Sequence, residues 1–268
     1  MRFLLKLIAL DFPAILPLNY QYPLSAVIYR ILQRADKEYA HFLHETGYRQ
    51  FEHSLKAFKL FTFSDISTPF KIAGDRMRML KPEAEVIVSF HLPRAGEIFI
   101  KGLFLNQDIE IADGKSRTRF RINQVESVSN GLTNAPGQEV ILRPLSPVVC
   151  GQKNERGNYD FLSPNHSDFV SQLMYNWQSK YKTLHENAKE VFPGADMEVL
   201  LYENPPKSRL IAIKAGTYQE TKIRGYMNFR LRVKGPLAAV ELLMNGGIGY
   251  YNSLGMGSLG LAGECLKA

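Results

Sequence analysis

Residues 2–10 are apolar apart from Arg2 and Lys6, and the run stops at Asp11, Pro13 and Pro17. That pattern predicts a first strand closed by breakers. It suits neither a signal peptide nor a membrane span. Pro23 sits where a helix opens, and Leu24, Val27, Ile28, Ile31 and Leu32 then recur at helical spacing, which predicts a buried stripe. Tyr29 lies well off the centre of that stripe, free to face a surface or a cleft. Asp36 predicts the N-cap of a second helix, with Tyr39, Phe42 and Leu43 on its apolar side and Gly47 as its stop. Residues 58–64, F-K-L-F-T-F-S, alternate with period two and predict a strand with Phe58, Leu60 and Thr62 on one face and Lys59, Phe61 and Phe63 on the other. Residues 86–91 predict a strand, 96–104 a helix and 117–125 a basic alternating strand. Strand, helices, strand, strand, helix, strand is the ferredoxin-like order.

Residues 127–138 are rich in Ser, Asn, Gly, Thr and Pro and read as a linker, which divides the chain into 1–130 and 131–268. Beyond it, 140–149 predict a strand region, 151–159 a polar turn between strands, and 165–190 a helix. The helix carries Phe169, Leu173, Met174, Trp177, Tyr181 and Leu184 at core spacing rather than as a base-stacking platform. Residues 197–202 and 209–214 look like strands paired around Pro205-Pro206. Residues 222–234 form the strongest basic stripe, with Lys222 and Arg224 followed by Arg230, Arg232 and Lys234 alternating with apolar residues on one strand face. Read plainly this is a solvated sheet face; read functionally it is a phosphate track, each contact steepening salt dependence by about 0.7 on a single strand. A short helix over 236–244 follows. The class is α+β, and the second half follows the ferredoxin-like order less cleanly than the first.

Charge and composition narrow the partners. The chain has 268 residues, 45% of them hydrophobic, and a net charge of +7. That length suggests one large or two ordinary domains, and the charge favours nucleic acid or another anionic partner. Cys150 and Cys265 are the only cysteines, so there is no disulfide framework or zinc-type C-x-x-C spacing, and a reducing cytoplasm is the expected compartment. No H-E-x-x-H or tight carboxylate cluster marks a metal site, and no cofactor is expected.

The densest chemical signal lies at residues 245–263, which hold seven of the 20 glycines. Such a loop is either a tight turn or an anion-binding concavity of backbone N–H groups. The dinucleotide fingerprint fails, because Asn252 stands where its third glycine belongs, and the nucleoside-triphosphate loop fails for want of Gly-Lys-Ser/Thr. What remains is G-x-G-x-x-N-S-x-G-x-G over 247–257, with Gly247, Gly249, Asn252, Ser253, Gly255 and Gly257 as its fixed members. Among titratable candidates, His44 falls in the last turn of the second predicted helix, where a cationic side chain is favoured; His41 precedes it by a turn and His53 lies beyond Gly47. Residue pattern alone does not choose among the three.

The glycine pattern near the C-terminus of a basic chain resembles the CRISPR-associated repeat-processing endoribonuclease family (CRISPR-associated protein six). So do Tyr29 in V-I-Y-R, His44 in L-H-E and Lys59 in K-L-F-T-F-S, in that order. The resemblance spans nearly the whole chain. It implies two tandem ferredoxin-like (RRM-like) domains and a Tyr29–His44–Lys59 active site. It also implies a metal-independent cleavage of CRISPR repeat RNA in which the 2′-hydroxyl attacks the adjacent phosphate, leaving a 2′,3′-cyclic phosphate and a 5′-hydroxyl. His44 would move protons with Tyr29 as partner, Lys59 would neutralise the phosphorane oxyanion, and the glycine loop with Lys222, Arg224, Arg230 and Arg232 would hold RNA. The segment between His44 and Lys59 is longer than in some relatives, which keeps His53 open. CRISPR repeat RNA is the implied partner, with a multi-subunit CRISPR effector complex and a homodimer as open further ones. Two other classes stand beside this reading: a non-catalytic repeat-RNA-binding subunit, and a metabolic enzyme with a phosphorylated ligand in the glycine loop.

Overall fold

The alternation of apolar residues in R-F-L-L-K-L-I-A makes β1 (Arg2–Ala9) the centre of the first sheet, with Phe3, Leu5, Leu7 and Ala9 buried on one face. The computed structural model describes residues 1–51, 56–132, 139–185, 194–201 and 205–263. His53, Cys265 and parts of the predicted linker and of the predicted helix over 165–190 lie outside them. After β1 come β2 (Ile15–Pro17), α1 (Gln21–Ala35), α2 (Lys37–Glu45), β3 (Phe61–Phe63), β4 (Phe70–Ala73), β5 (Arg76–Met79), β6 (Glu83–Phe90), α3 (Pro93–Leu105), β7 (Asp108–Ala112) and β8 (Arg117–Ser127). The second half holds β9 (Glu139–Pro144), β10 (Gly151–Lys153), β11 (Tyr159–Phe161), α4 (Phe169–Leu184), β12 (Asp196–Leu201), β13 (Ser208–Ile213), β14 (Thr221–Tyr226), β15 (Phe229–Lys234), α5 (Leu237–Gly246) and β16 (Leu259–Leu261).

The first sheet runs β3-β6-β1-β8-β7 and the principal sheet of the second half runs β12-β15-β9-β16. Counting only the strands of the repeated unit, both have the order second, third, first, fourth. Helices join first to second and third to fourth. That is the ferredoxin-like unit twice over, with β7 added at one edge of the first sheet and the β13–β14 hairpin inserted into the second unit. The predicted stripe of α1 is buried as expected, and the Asp36 carboxylate accepts the Tyr39 N–H at 2.8 Å, capping α2. None of the helices among the described residues is long and apolar enough to cross a membrane.

Three expectations need correction. The strand expected over 58–64 shortens to β3, because Leu60 takes a positive φ of 55° and breaks the extended run. Its alternation is real but separates two cores: Phe61 and Phe63 enter the first, Leu60 enters the second, and the Thr62 hydroxyl donates to Met256 O at 3.0 Å. The strands near Pro205-Pro206 do not pair with each other. β12 pairs with β15 and β13 with β14, since the short turn over 214–220 closes a local hairpin while β12 completes the edge of the main sheet. The basic stripe is also not one strand. Asn228, at φ 61°, turns the chain, so Lys222 and Arg224 ride on the inserted hairpin while Arg230 and Arg232 belong to β15 in another sheet.

Candidate active site

One face of α1 gathers the site. Ser25 and Tyr29 are one turn apart, so they share a side of the helix. The Ser25 hydroxyl donates to Ser253 O at 2.7 Å, and Tyr29 forms a side-chain hydrogen bond with Ser253. The Tyr29 ring stands edge-on to Phe61 at 5.5 Å and to His44 at 5.1 Å between centroids. Burial pushes its phenol up to about 12, against the opposing pull of the Ser253 hydrogen bond, so Tyr29 keeps its proton at neutral pH.

His44 lies in the last turn of α2 with its side chain 63% exposed, and its Nδ1 lies 2.6 Å from Glu45 Oε1. The hydrogen bond from His44 holds the Glu45 carboxyl below its ordinary range. Nε2 is then the ring nitrogen without a partner among the described residues, the arrangement in which a carboxylate orients an imidazole and leaves one nitrogen for chemistry. Lys59, ahead of β3, bends back so that its Nζ donates to His44 O at 2.6 Å. Burial lowers its pKa, with the Glu45 charge pulling the other way. Gly47 makes this return possible. It has φ 64°, and a Cβ there would stand 2.9 Å from Phe58 O and 3.0 Å from Lys59 Cδ. Tyr29, His44 and Lys59, distant in sequence, thus meet at one place, whereas His41 is exposed one turn earlier on α2.

The glycine loop closes the site from the second domain. It runs from α5 through a short 3-10 turn, Asn252–Leu254, to β16. Gly247, Gly249, Gly255 and Gly257 all have positive φ, between 68° and 79°. Asn252 faces into its own loop: Nδ2 donates to Ile248 O at 2.9 Å and to Met256 O at 3.0 Å, and Oδ1 accepts from Lys180 Nζ at 2.6 Å. Lys180 also donates to Gly247 O at 2.7 Å and Gly249 O at 3.3 Å, and burial lowers its pKa to about 7. The amides of Tyr251, Asn252 and Ser253 have no acceptor among the described residues. These three consecutive donors lie beside the Tyr29–Ser253 bond.

The apolar face of the inserted hairpin, Ile211, Ile213 and Ile223, packs on Met256 with Tyr250, Tyr251 and Leu254, so the loop is held between that hairpin and β3 with α1. Lys222 and Arg224 lie on the hairpin's other face and are exposed; Lys222 is 3.7 Å from Glu220 and Arg224 donates to Ser208 Oγ at 3.1 Å. Arg232 sits between Glu139, at 3.5 Å, and Glu198. Arg230 shares its strand face and is half-buried. The basic residues therefore form two separate groups rather than one track. Sequence reasoning missed Ser25, Glu45 and Lys180. Only Lys180 left a signal: a lysine three residues after Trp177 and seven after Leu173 falls on the apolar stripe of α4, where a charge has to find partners.

Together these features define a tandem ferredoxin-like protein with its candidate chemistry where the second domain's glycine loop meets α1 and α2 of the first. Residues 15–126 match the family described as CRISPR-associated protein Cas6, N-terminal, and residues 132–261 match CRISPR associated protein Cas6, C-terminal. The chain belongs to the Cas6 family. It is 25% identical over 268 residues to the CRISPR-associated endoribonuclease Cas6 of Pyrococcus furiosus, an alignment covering 98% of this chain and 91% of that one. Among solved structures it resembles the product of a Cas6-related gene from Pyrococcus furiosus, with a TM-score of 0.79, 19% identity and 99% of each chain covered. It also resembles a RAMP protein described as binding different RNA substrates, with a TM-score of 0.77, 20% identity, and 97% of this chain and 99% of that one covered.

Proposed function

We propose that this chain cuts CRISPR repeat RNA within precursor transcripts, using the RNA's own 2′-hydroxyl as nucleophile and no metal. The observation that carries this reading is the convergence of Tyr29, His44 and Lys59 beside Ser253 of the glycine loop. Attack of the 2′-oxygen on the adjacent phosphorus breaks the bond to the 5′-oxygen, so the products are a 2′,3′-cyclic phosphate and a 5′-hydroxyl. One proton leaves the nucleophile and one reaches the leaving oxygen.

His44 is the group assigned to that proton transfer, through the ring nitrogen that Glu45 does not hold. Tyr29 enters as a neutral phenol, because burial holds its proton well above neutral pH, and acts as a hydrogen-bond donor beside the imidazole. Lys59 places a cation next to His44, where negative charge builds on the phosphorane, and the three free amides of residues 251–253 bind a neighbouring phosphate. The support from family membership is that a curated relative carries the name endoribonuclease.

The test is a single-turnover assay in EDTA on the host's repeat RNA, beside the same RNA with one 2′-deoxy at the cleavage position. Cleavage of the first alone is expected. Cleavage of both, or cleavage only with added metal, would overturn the mechanism. His44→Ala is expected to slow the wild-type rate by about 10²- to 10⁴-fold, with RNA affinity retained; Lys59→Ala with an unchanged rate would remove Lys59 from the site.

A further inference from the structure

The sequence pattern put the aromatic residues of α4 in the core, and Trp177 is indeed fully buried, its Nε1 donating to Ala239 O at 2.8 Å. Four tyrosines nearby keep exposed surface, although Tyr250 and Tyr251 also pack on the Met256 cluster. Tyr159 on β11 is 44% exposed and Tyr175 on α4 is 53% exposed, while Tyr250 and Tyr251 in the glycine loop are half-buried. Tyr159 and Tyr250 meet at 5.9 Å with planes 64° apart. Tyr250 and Tyr251 are chain neighbours in the loop, and Tyr175 on α4 is near enough to bear electrostatically on Tyr250, as Tyr159 is on Tyr251.

Two cations stand at Tyr175. Lys56 Nζ stands 4.0 Å above the Tyr175 ring, and Lys182, exposed on the same helix, also acts on that phenol. Rings with exposed faces beside cations suit a ligand that is flat, aromatic and anionic. Single-stranded RNA has that chemistry: its bases stack on tyrosine irrespective of sequence, and its phosphates pair with lysine. The position agrees. Tyr251 is held at φ 60°, a strained conformation for a tyrosine, and only Asn252 separates it from Ser253, at most about 7 Å of backbone. Ser253 is the loop residue bonded to Tyr29.

We propose that Tyr159, Tyr175, Tyr250 and Tyr251 form a stacking platform for unpaired nucleotides adjoining the scissile phosphate, with Lys56 and Lys182 on the phosphates of that stretch. The proposal rests on the function given above and adds where the RNA goes when it leaves the site.

The probe is the full chain with the host's repeat RNA, carrying a 2′-deoxy at the cleavage position and 2-aminopurine at single positions on either side of it. Stacking is expected to quench the fluorophore at one or more of those positions on binding to the wild-type protein. Tyr159→Ala and Tyr175→Ala, at exposed positions, are each expected to relieve that quench and weaken binding by about 5- to 150-fold. Tyr159→Phe and Tyr175→Phe, which keep the ring, are expected to bind within about twofold of wild type. Melting curves establish that all four variants are folded. Wild-type protein that binds and cleaves repeat RNA without any quench, or Ala variants that bind as tightly as wild type, would overturn the platform and leave the proposed activity standing. Wild-type protein that neither binds nor cleaves repeat RNA would remove both.

Discussion

Gly257 shows how tightly single residues are constrained in the loop. Its φ is 68°, and a Cβ there would lie 1.9 Å from Ile248 O, a backbone atom already engaged by Asn252. Gly255 is similar: at φ 78°, an added Cβ would stand 2.2 Å from the ring of Phe63, which is fully buried and has nowhere to move. Gly74 is the control, with φ 60° and nothing within 4 Å of the added carbon. Gly74→Ala bears only the left-handed conformational cost of about 1–2 kcal/mol. Gly257→Ala and Gly255→Ala add a steric overlap with fixed atoms, and overpacking of this kind costs typically another ~1–3 kcal/mol. At roughly 2–4 °C per kcal/mol, both are expected to melt well below Gly74→Ala. They are also expected to lose RNA cleavage, because Ser253 loses its place against Tyr29. Thermal melts of the three variants decide this; equal melting temperatures would mean that the loop glycines matter for backbone freedom alone.

At the level of elements, α4 controls the loop through Lys180. Lys180→Met leaves Gly247 O, Gly249 O and Asn252 Oδ1 short of a donor, and each unsatisfied buried acceptor costs about 1–3 kcal/mol, offset in part by removal of a buried charge. The pH dependence has a definite sign. Burial lowers the lysine to about 7 from its ordinary value near 10.4, so between those limits the unfolded chain binds a proton that the folded chain does not. Stability from this group therefore rises with pH from about 7 to about 10 and is flat below 7. The melting-temperature gap between wild type and Lys180→Met is expected to widen in favour of wild type from pH 7 to pH 9; a constant gap would mean that Lys180 does not titrate there. What the sequence could and could not reveal follows the same division. The stripe of α1 and the Asp36 cap were legible because they depend on residues within a turn or two, whereas Tyr29, His44 and Lys59 were singled out by the family resemblance and not by local pattern. Which core each face of the strand expected over 58–64 enters was not legible, since both faces are apolar and only the second domain distinguishes them. The break at Asn228 was hidden because the apolar–basic alternation runs on from β14 into β15 across it. Lys180 showed only as a charge on an apolar stripe, and its partners were hidden because they lie 67 to 72 residues away.

Across the whole molecule the two domains share a buried seam, and it contains a histidine held neutral. Arg2, 2% exposed, donates to Leu259 O at 2.8 Å, and Ser25, Thr62 and the inserted hairpin's Arg209, paired with Asp65 at 3.0 Å, add further cross-links. His91 follows β6 and packs against the end of α5 near Gly246; its Nδ1 is buried without a partner among the described residues. Burial, helped by the nearby amino terminus, lowers its pKa to about 4, against a backbone hydrogen bond at Glu241 that raises it. The unfolded chain therefore takes up a proton near pH 6.5 that the folded chain refuses until about pH 4. Stability is unaffected by His91 above 6.5 and falls as pH drops through that window, by up to about 3 kcal/mol. Urea unfolding from pH 7.5 to 4.5 is expected to show this loss in the wild type and to show it reduced in His91→Gln, which cannot titrate. Because the seam ties the cores together, Trp177 fluorescence, which reports the second core alone, is expected to change with the same midpoint as far-UV circular dichroism, which reports both. Separate midpoints would mean that the seam does not couple the domains. The proposed RNA site, built half from α1 and α2 and half from the glycine loop, would then lose one half while the other stays folded.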